Sequence, residues 1–376
     1  MIKTATFTFH ASHNYGSMLQ AYALQQVLKR EIGVENEIIN LRTPSQRNVY
    51  RYPTCLPRTK REVFAYICRL PFLSGLKKKY KLFEDFIQTE MNVSEEFTSA
   101  EQLSEYLNKF DCLITGSDQI WNTSCADFDW SYFLPFKNAC KIAYAPSMGP
   151  HGGSQVSTDR YNKINRLLNE FKAISVRESG TADVVSKVVG IHPDILVDPT
   201  MLLPRDEWNN LAASYNPIDE KYIFLYHPFY SNEICNLAGE IAKITGLTVV
   251  SSNKLPTKVW VKSLVSPSRR MKQSLASGPK EFLRLLLDAE FVISGSFHAV
   301  VFSMLFHKPF LAYNGLTDNR MSQILKSAGL EDYSVTESDY LSALSKMSEI
   351  DFSRADAYIS EERVKSINFL RKNICL

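Results

Sequence analysis

The sequence predicts an α/β protein of two Rossmann-like domains that face a central cleft. Three observations carry that expectation. The chain has 376 residues, more than one ordinary domain of roughly 100–200 residues. In both halves, short apolar runs alternate with stretches of helical period, which implies mostly parallel sheets with helices on both faces. The alternation breaks near the middle, where Pro204 and Pro217 interrupt it. The link is therefore expected within residues 203–220, dividing the chain into 1–205 and 206–350 with a tail at 351–376.

Residues 4–9 read as the first strand. A polar loop, 10–16, leads to a helix over about 17–31, whose Leu24, Val27, Leu28 and Ile32 form one apolar face. Residues 37–41 are the next strand. The apolar runs 112–115, 142–145 and 173–176 are buried strands, and each stops at polar residues: Gly116-Ser117-Asp118, Pro146-Ser147 and Arg177-Glu178. Ile164, Leu167, Leu168 and Phe171 mark a helix seam. In the second half, strands are expected near 222–226, 247–251, 291–294 and 309–313, and helices near 232–245, 279–289, 298–307 and 320–328. A helical tail covers about 354–373.

Composition excludes several classes. The net charge is +3, so nothing global points to nucleic acid. The charge is uneven, however: nine Lys and Arg against Glu62 make residues 51–81 +8, and the remainder −5. Those basic residues interleave with Phe64, Ile67, Leu70, Phe72 and Leu76, a pattern that suits contact with an anionic membrane face. The plainer reading is a pair of short helices packed on the first domain, broken at Pro57 and Pro71. The seven cysteines show no CxxC spacing and the histidines no ligand spacing. Neither a disulfide framework nor a metal site is expected, and a reducing compartment fits. The N-terminal residues lack the apolar core of a signal peptide, so a cytoplasmic placement is expected. The longest uncharged stretch, 291–307, carries Ser294, Gly295, Ser296 and His298. It reads as a strand entering a buried helix.

Four loops share one format, an apolar strand, then small or polar residues, then a helix: 10–17, 116–119, 175–179 and 294–298. Backbone N–H groups at a helix start attract an anion. In Ser294-Gly295-Ser296-Phe297-His298, Ser296 is a plausible N-cap and His298 falls in the first turn, able to donate to a phosphate or exchange a proton. The plainer reading is a capped helix with a packed histidine. Arg177 can fork onto a carboxylate or phosphate, or pair internally with Glu178. Asp118, with Trp121 beside it, suits a sugar through hydroxyl bonds and ring stacking, or serves as a base. It could equally cap a helix, with Trp121 in the core. Asn14-Tyr15-Gly16 is otherwise a simple turn, and Arg320 otherwise a solvated arginine.

Taken in order, these segments resemble the polysaccharide pyruvyl transferase family. The likeness rests on Asn14-Tyr15-Gly16 with Gln20 and Gln25, Gly116-Ser117-Asp118-Gln119-Ile120-Trp121, Ser175-Val176-Arg177-Glu178, Asp198-Pro199-Thr200, Ser296-Phe297-His298 and Asn319-Arg320. It spans about 4–330. The resemblance implies a GT-B-like fold, with the last helix crossing back to the first domain. It implies phosphoenolpyruvate as co-substrate, no cofactor, and a glycan or lipid-linked sugar as acceptor. A cyclic pyruvate ketal would form on a capsule or exopolysaccharide. One departure stands out: some members carry arginine where this chain has Ser296. Arg177, Arg320, Arg269 or Arg270 would have to replace that guanidinium.

On this reading the catalytic residues are His298, Asp118 and Glu178. The donor site is Arg177, Ser296, Phe297, His298 and Arg320. The acceptor site is Asn14, Tyr15, Gly16, Ser117, Asp118 and Trp121. Two alternatives stay open. One is a GT-B glycosyltransferase using a nucleotide sugar, with Glu331 or Asp332 toward the ribose. The other is a sugar-binding module without catalysis.

Overall fold

The computed structural model describes the chain except residues 56–62, 64, 65, 138, 139, 151–157, 215–217, 266–270, 375 and 376. The first half runs β1 (Lys3–Phe7), α1 (Tyr15–Val27), β2 (Glu35–Leu41), α2 (Pro44–Val49), α3 (Leu73–Glu90), β3 (Val93–Phe97), α4 (Leu103–Tyr106), β4 (Cys112–Thr115), β5 (Cys140–Ala143), α5 (Thr158–Leu168), β6 (Ala173–Val176), α6 (Ser179–Val189) and β7 (Asp194–Ile195). The second half runs α7 (Arg205–Leu211), β8 (Tyr222–Tyr226), α8 (Asn232–Thr245), β9 (Thr248–Ser251), α9 (Thr257–Val265), β10 (Met271–Gln273), α10 (Pro279–Asp288), β11 (Phe291–Ser294), α11 (Phe297–Leu305), β12 (Phe310–Tyr313), α12 (Asn319–Ala328), β13 (Ser334–Val335), α13 (Leu341–Lys346) and α14 (Ser353–Ile374).

Each half is built on a parallel sheet. The first has the strand order β3-β2-β1-β4-β5-β6-β7, the second β10-β9-β8-β11-β12-β13. Counted within its own half, each begins 3-2-1-4-5-6, the doubly wound Rossmann order. The central strands β4, β8 and β11 are buried along their whole length. That is why they read as unbroken apolar runs, since helices cover both faces of such a sheet.

The two halves share one apolar core. Tyr15 on α1 stacks on Phe282 of α10, ring centroids 4.5 Å apart, and its hydroxyl donates to the Ser277 carbonyl at 2.9 Å. Lys79 on α3 donates to the Ser252 carbonyl and the Asn253 side chain, at 3.1 and 2.5 Å. Burial pushes its ammonium down to about 7. Helix α14 starts beside Ser327, to which Arg354 donates. It ends where Arg371 reaches the Glu31 carbonyl and Lys172 the Asn373 carbonyl.

Several elements differ from expectation. The helix expected at 17–31 starts two residues earlier and widens into a π-type turn over Leu28–Ile32, closed by Gly33 at φ 77°. The edge strands β3, β7, β10 and β13 had no apolar run to announce them. Loop 116–119 leads into turns rather than a helix, so it lacks the N–H array of the other three. In segment 51–81, the second helix is the start of the long α3. There Phe72 packs edge-on against Trp260 and Lys79 is pinned, so neither is available to a lipid surface. Phe64 lies outside the described residues, as do Arg269 and Arg270. Glu331 and Asp332 are exposed and immediately precede β13. That is the sheet edge opposite the carboxyl ends where ligands of such folds bind, which removes the ribose role considered for them.

Candidate active site

Ligands bind open α/β sheets beyond the carboxyl ends of strands, where the winding direction reverses. Here those points lie between β1 and β4 and between β8 and β11, and the two sets of loops meet. Asn14 caps α1 by accepting from the Gly16 N–H at 3.0 Å. A Cβ on Gly16 would sit 2.0 Å from Nδ1 and 2.3 Å from Cγ of His298. Glycine is needed at this position for close approach, and it brings the α1 start against the first turn of α11.

Around that contact lies a buried charged cluster. Arg177 leaves the end of β6, and its Nη1 donates to Asp198 Oδ2 at 2.7 Å. It stands 3.7 Å from both Asp118 Oδ1 and, through Nε, Glu178 Oε2. Its guanidinium lies over the Phe297 ring, 4.9 Å from the centroid. His298 Nε2 is 3.4 Å from Asp198 Oδ2, an ion-pair separation without hydrogen-bond alignment. Asp198 also accepts from the Thr200 N–H and hydroxyl, at 3.0 and 2.8 Å. Burial raises its proton affinity, but His298, Arg177 and the Thr200 N–H outweigh that and hold the carboxyl below its ordinary range. Glu178 goes the other way. Burial pushes it up, only partly offset by Arg177 and by the Thr181 hydroxyl that donates to it. Burial alone would weaken the charge on Arg177, yet Asp198, Asp118 and Glu178 raise its pKa.

The cluster is not self-satisfied. Arg177 Nε and Nη2, Glu178 Oε2 and His298 Nε2 are buried without a hydrogen-bond partner. Buried polar groups left in that state are costly, and at a cleft they mark where a ligand's atoms belong.

Two cavities flank the cluster. One, of about 230 Å³, is lined by Arg177, Asp198, Phe297, Arg320, Tyr358 and Glu362 among others. The second, of about 340 Å³, lies within the first half beyond β1 and β2, with Ser12, His13, Tyr50, Tyr80, Glu84 and Asp127 on its walls. Thr8 also lines it and donates to the Ser117 carbonyl at 3.3 Å, and the charge of Asp118, the next residue, acts on Asp127 in its wall. Asp118 itself sits at φ 69°, a left-handed conformation uncommon outside glycine. Ser17 donates to its Oδ2 at 2.5 Å and its carbonyl accepts from the Ser147 N–H. Asp127 accepts from the Tyr50 hydroxyl at 2.7 Å, and burial pushes its carboxyl up against that bond.

Of the residues singled out in the sequence, Arg177, Glu178, Asp118, His298, Phe297 and Gly16 converge. Ser296 occupies the N-cap of α11 but makes no side-chain cap bond. Its own N–H donates to Ser294 Oγ. Arg320 reaches the smaller cavity, yet its guanidinium is already forked onto Asp318, the cap of its own helix. It is not a free clamp. Four acceptor expectations need correction. Trp121 is fully buried, stacked on Phe133 with Nε1 donating to the Tyr132 carbonyl, so neither face of its ring meets a sugar. Ser117 is fully buried and donates to the Ala145 carbonyl. Tyr15 is consumed between the halves. Asn14 serves as a cap. The hub that sequence reasoning left unassigned is Asp198, although its Asp-Pro-Thr run stood among the matching segments. The walls of the larger cavity had no motif to announce them.

Two facing Rossmann sheets with a polar cluster at their opposed switch points define a GT-B-type protein. Solved structures agree at the level of fold. The UDP-GlcNAc 2-epimerase from Neisseria meningitidis bound to UDP-GlcNAc superposes with a TM-score of 0.55 at 10% identity, covering 100% of each chain. The Methanocaldococcus jannaschii UDP-GlcNAc 2-epimerase, in complex with UDP-GlcNAc and UDP, gives 0.52 at 12% identity over 98% of this chain and 99% of that one. No curated protein sequence matches. The chain belongs to the polysaccharide pyruvyl transferase family, whose model matches residues 14–315.

Proposed function

We propose that this protein transfers the enolpyruvyl group of phosphoenolpyruvate to a sugar diol, closing a cyclic pyruvate ketal on a surface polysaccharide or its precursor. The observation that carries the reading is Arg177. It is buried at the wall of the smaller cavity with two guanidinium nitrogens that make no hydrogen bond, which suits two-point binding of a carboxylate or phosphate.

The acid is His298. Ionised Asp198 gives a protonated His298 a counter-charge at 3.4 Å. From there the ring delivers a proton to the methylene carbon of the donor, leaving the adjacent carbon electrophilic. One sugar hydroxyl adds to that carbon, phosphate departs, and a second hydroxyl closes the ring. Asp118 serves as the base, because it follows Ser117, whose carbonyl is bonded by Thr8 on the wall of the larger cavity, while Glu178 packs against Arg177 on the donor side. The acceptor sugar lies in the larger cavity, where Tyr50 and Tyr80 offer aromatic surface and Ser12 a buried, unpartnered hydroxyl. Three carboxyl groups surround one arginine and one histidine, so the donor enters best when Glu178 carries a proton. The exposed Lys77, Lys78 and Lys81 would hold the protein at the cytoplasmic membrane face, close to a lipid-linked acceptor.

The test is phosphate release from phosphoenolpyruvate with candidate galactosides or N-acetylhexosamines, alongside thermal shift with phosphoenolpyruvate and with nucleotide sugars. Acceptor-dependent phosphate release supports the reading. Stabilisation by a nucleotide sugar alone overturns it.

A further inference from the structure

At the amino ends of two inner strands of the first sheet, away from the cleft, two cysteines stand side by side. Cys112 opens β4, Cys140 opens β5, and the parallel ladder pairs them directly. Neighbouring strands lie about 4.8 Å apart, inside the Cα separation of roughly 4.4–6.8 Å that a disulfide spans. The sulfurs are 3.1 Å apart, with the Cys112 thiol donating to Cys140 Sγ. Closure to a bond of about 2.05 Å then asks for a movement of only about 1 Å. Access is asymmetric, since Cys112 is buried and Cys140 half-buried. The two thiols therefore have different chemical positions. The bond from Cys112 and the nearby Lys172 ammonium pull Cys140 down to about 7 despite burial, while the same contact and burial push Cys112 up. A thiolate that is reachable, next to a thiol that is not, is the arrangement of a redox-active pair.

We propose that Cys112 and Cys140 are a reversible oxidation site, with Cys140 attacking a hydroperoxide and Cys112 resolving the product. In the first step the Cys140 thiolate takes the terminal peroxide oxygen. The O–O bond breaks, and the leaving hydroxide picks up a proton to become water. In the second step the Cys112 sulfur attacks the sulfenic sulfur of Cys140. The S–O bond breaks, and a second water leaves with the Cys112 proton. Two thiols and one hydrogen peroxide thus become one disulfide and two waters, the two electrons passing from sulfur to the peroxide. A small dithiol reverses the step by exchange at the half-buried Cys140. The pair sits at the amino ends of its strands and the charged cluster at the carboxyl ends, so this site stands whether or not the protein uses phosphoenolpyruvate.

The experiment treats the full-length protein with limiting hydrogen peroxide and maps its peptides before and after dithiothreitol. The expected product is a Cys112–Cys140 cross-link, lighter by two hydrogens and restored by reductant. In Cys140→Ser, Cys112 should remain an unmodified thiol under the same treatment. The proposal is overturned if Cys140 proceeds to sulfinic or sulfonic acid beside a free Cys112. It is equally overturned if neither cysteine reacts in the folded protein, or if Cys112 is oxidised to the same extent in Cys140→Ser.

Discussion

The sharpest consequence of the geometry concerns Gly16→Ala. The backbone at Gly16 is ordinary helix, where alanine is favoured over glycine by up to about 1 kcal/mol. On local grounds alone the change should stabilise α1. The tertiary contact reverses this, because the new methyl would lie 2.0 Å from His298 Nδ1 and 2.3 Å from Cγ. The imidazole has little room to yield, since His298 is buried and α11 behind it is buried along its whole length. Overpacking of this kind costs about 1–3 kcal/mol, so the net change should be a loss of up to roughly 2 kcal/mol once helix propensity is subtracted. The ring also moves relative to Asp198, and a misplacement of about 1 Å at a catalytic group lowers turnover on the order of 100-fold. The assay is a double-mutant cycle. Urea midpoints are measured for wild type, Gly16→Ala, His298→Ala and the double variant, with phosphate release for the first three. His298→Ala should stay folded and lose transfer. In its background Gly16→Ala should become neutral or stabilising, a coupling of about 1–3 kcal/mol. An equal penalty with and without the imidazole, or normal turnover in Gly16→Ala, would refute the argument.

Arg177→Lys should impair donor use beyond what its retained charge suggests, because lysine cannot make a planar two-point contact. The Michaelis constant for phosphoenolpyruvate is the readout, and unchanged values would leave Arg177 as only the structural partner of Asp198 and Glu178. The Glu178 carboxyl is raised by burial. Its contribution to stability is therefore complete below the ordinary carboxyl range and is lost as pH rises through the raised value. Ionising it also places one more negative charge beside the donor. The donor Michaelis constant should thus climb with pH in wild type and flatten in Glu178→Gln, and parallel profiles would refute the role. Among the described residues no group of three or more His, Cys, Asp or Glu side chains is placed to hold a metal ion. Activity should survive exhaustive chelation because the Arg177 guanidinium can neutralise the donor's charge, and loss restored by a single metal would overturn that. Finally, flotation with anionic liposomes at low salt should be lost when Lys77, Lys78 and Lys81 become glutamate. Lys79 is left alone because it is half-buried and bonded to the Ser252 carbonyl, and unchanged flotation would exclude these lysines as the anchor.

The sequence by itself determined the class of fold. Buried parallel strands must be continuously apolar, so β4, β6, β8 and β11 could be read directly, and amphipathic helices such as α8 declared their period. It also determined which strand ends carry polar groups, which is why Arg177, Glu178, Asp118 and His298 could be named before their positions were known. What it left undecided follows from the same physics. Edge strands such as β3 and β10 bury little and need no apolar run, and a ring's burial depends on neighbours distant in the chain. Trp121 therefore looked like a sugar platform but packs on Phe133. Asp198 had no role assigned from sequence but joins Arg177 to His298 across intervals of 21 and 100 residues. Only tertiary structure could place the walls of the larger cavity, gathered from β1, β2, α2 and α3 without shared spacing. The same holds for Cys112 and Cys140, whose 28-residue separation has no motif and becomes a contact only through the register of β4 on β5. Periodicity records what each element does with its own faces. Active sites and paired side chains arise where elements meet, and that information resides in the packing.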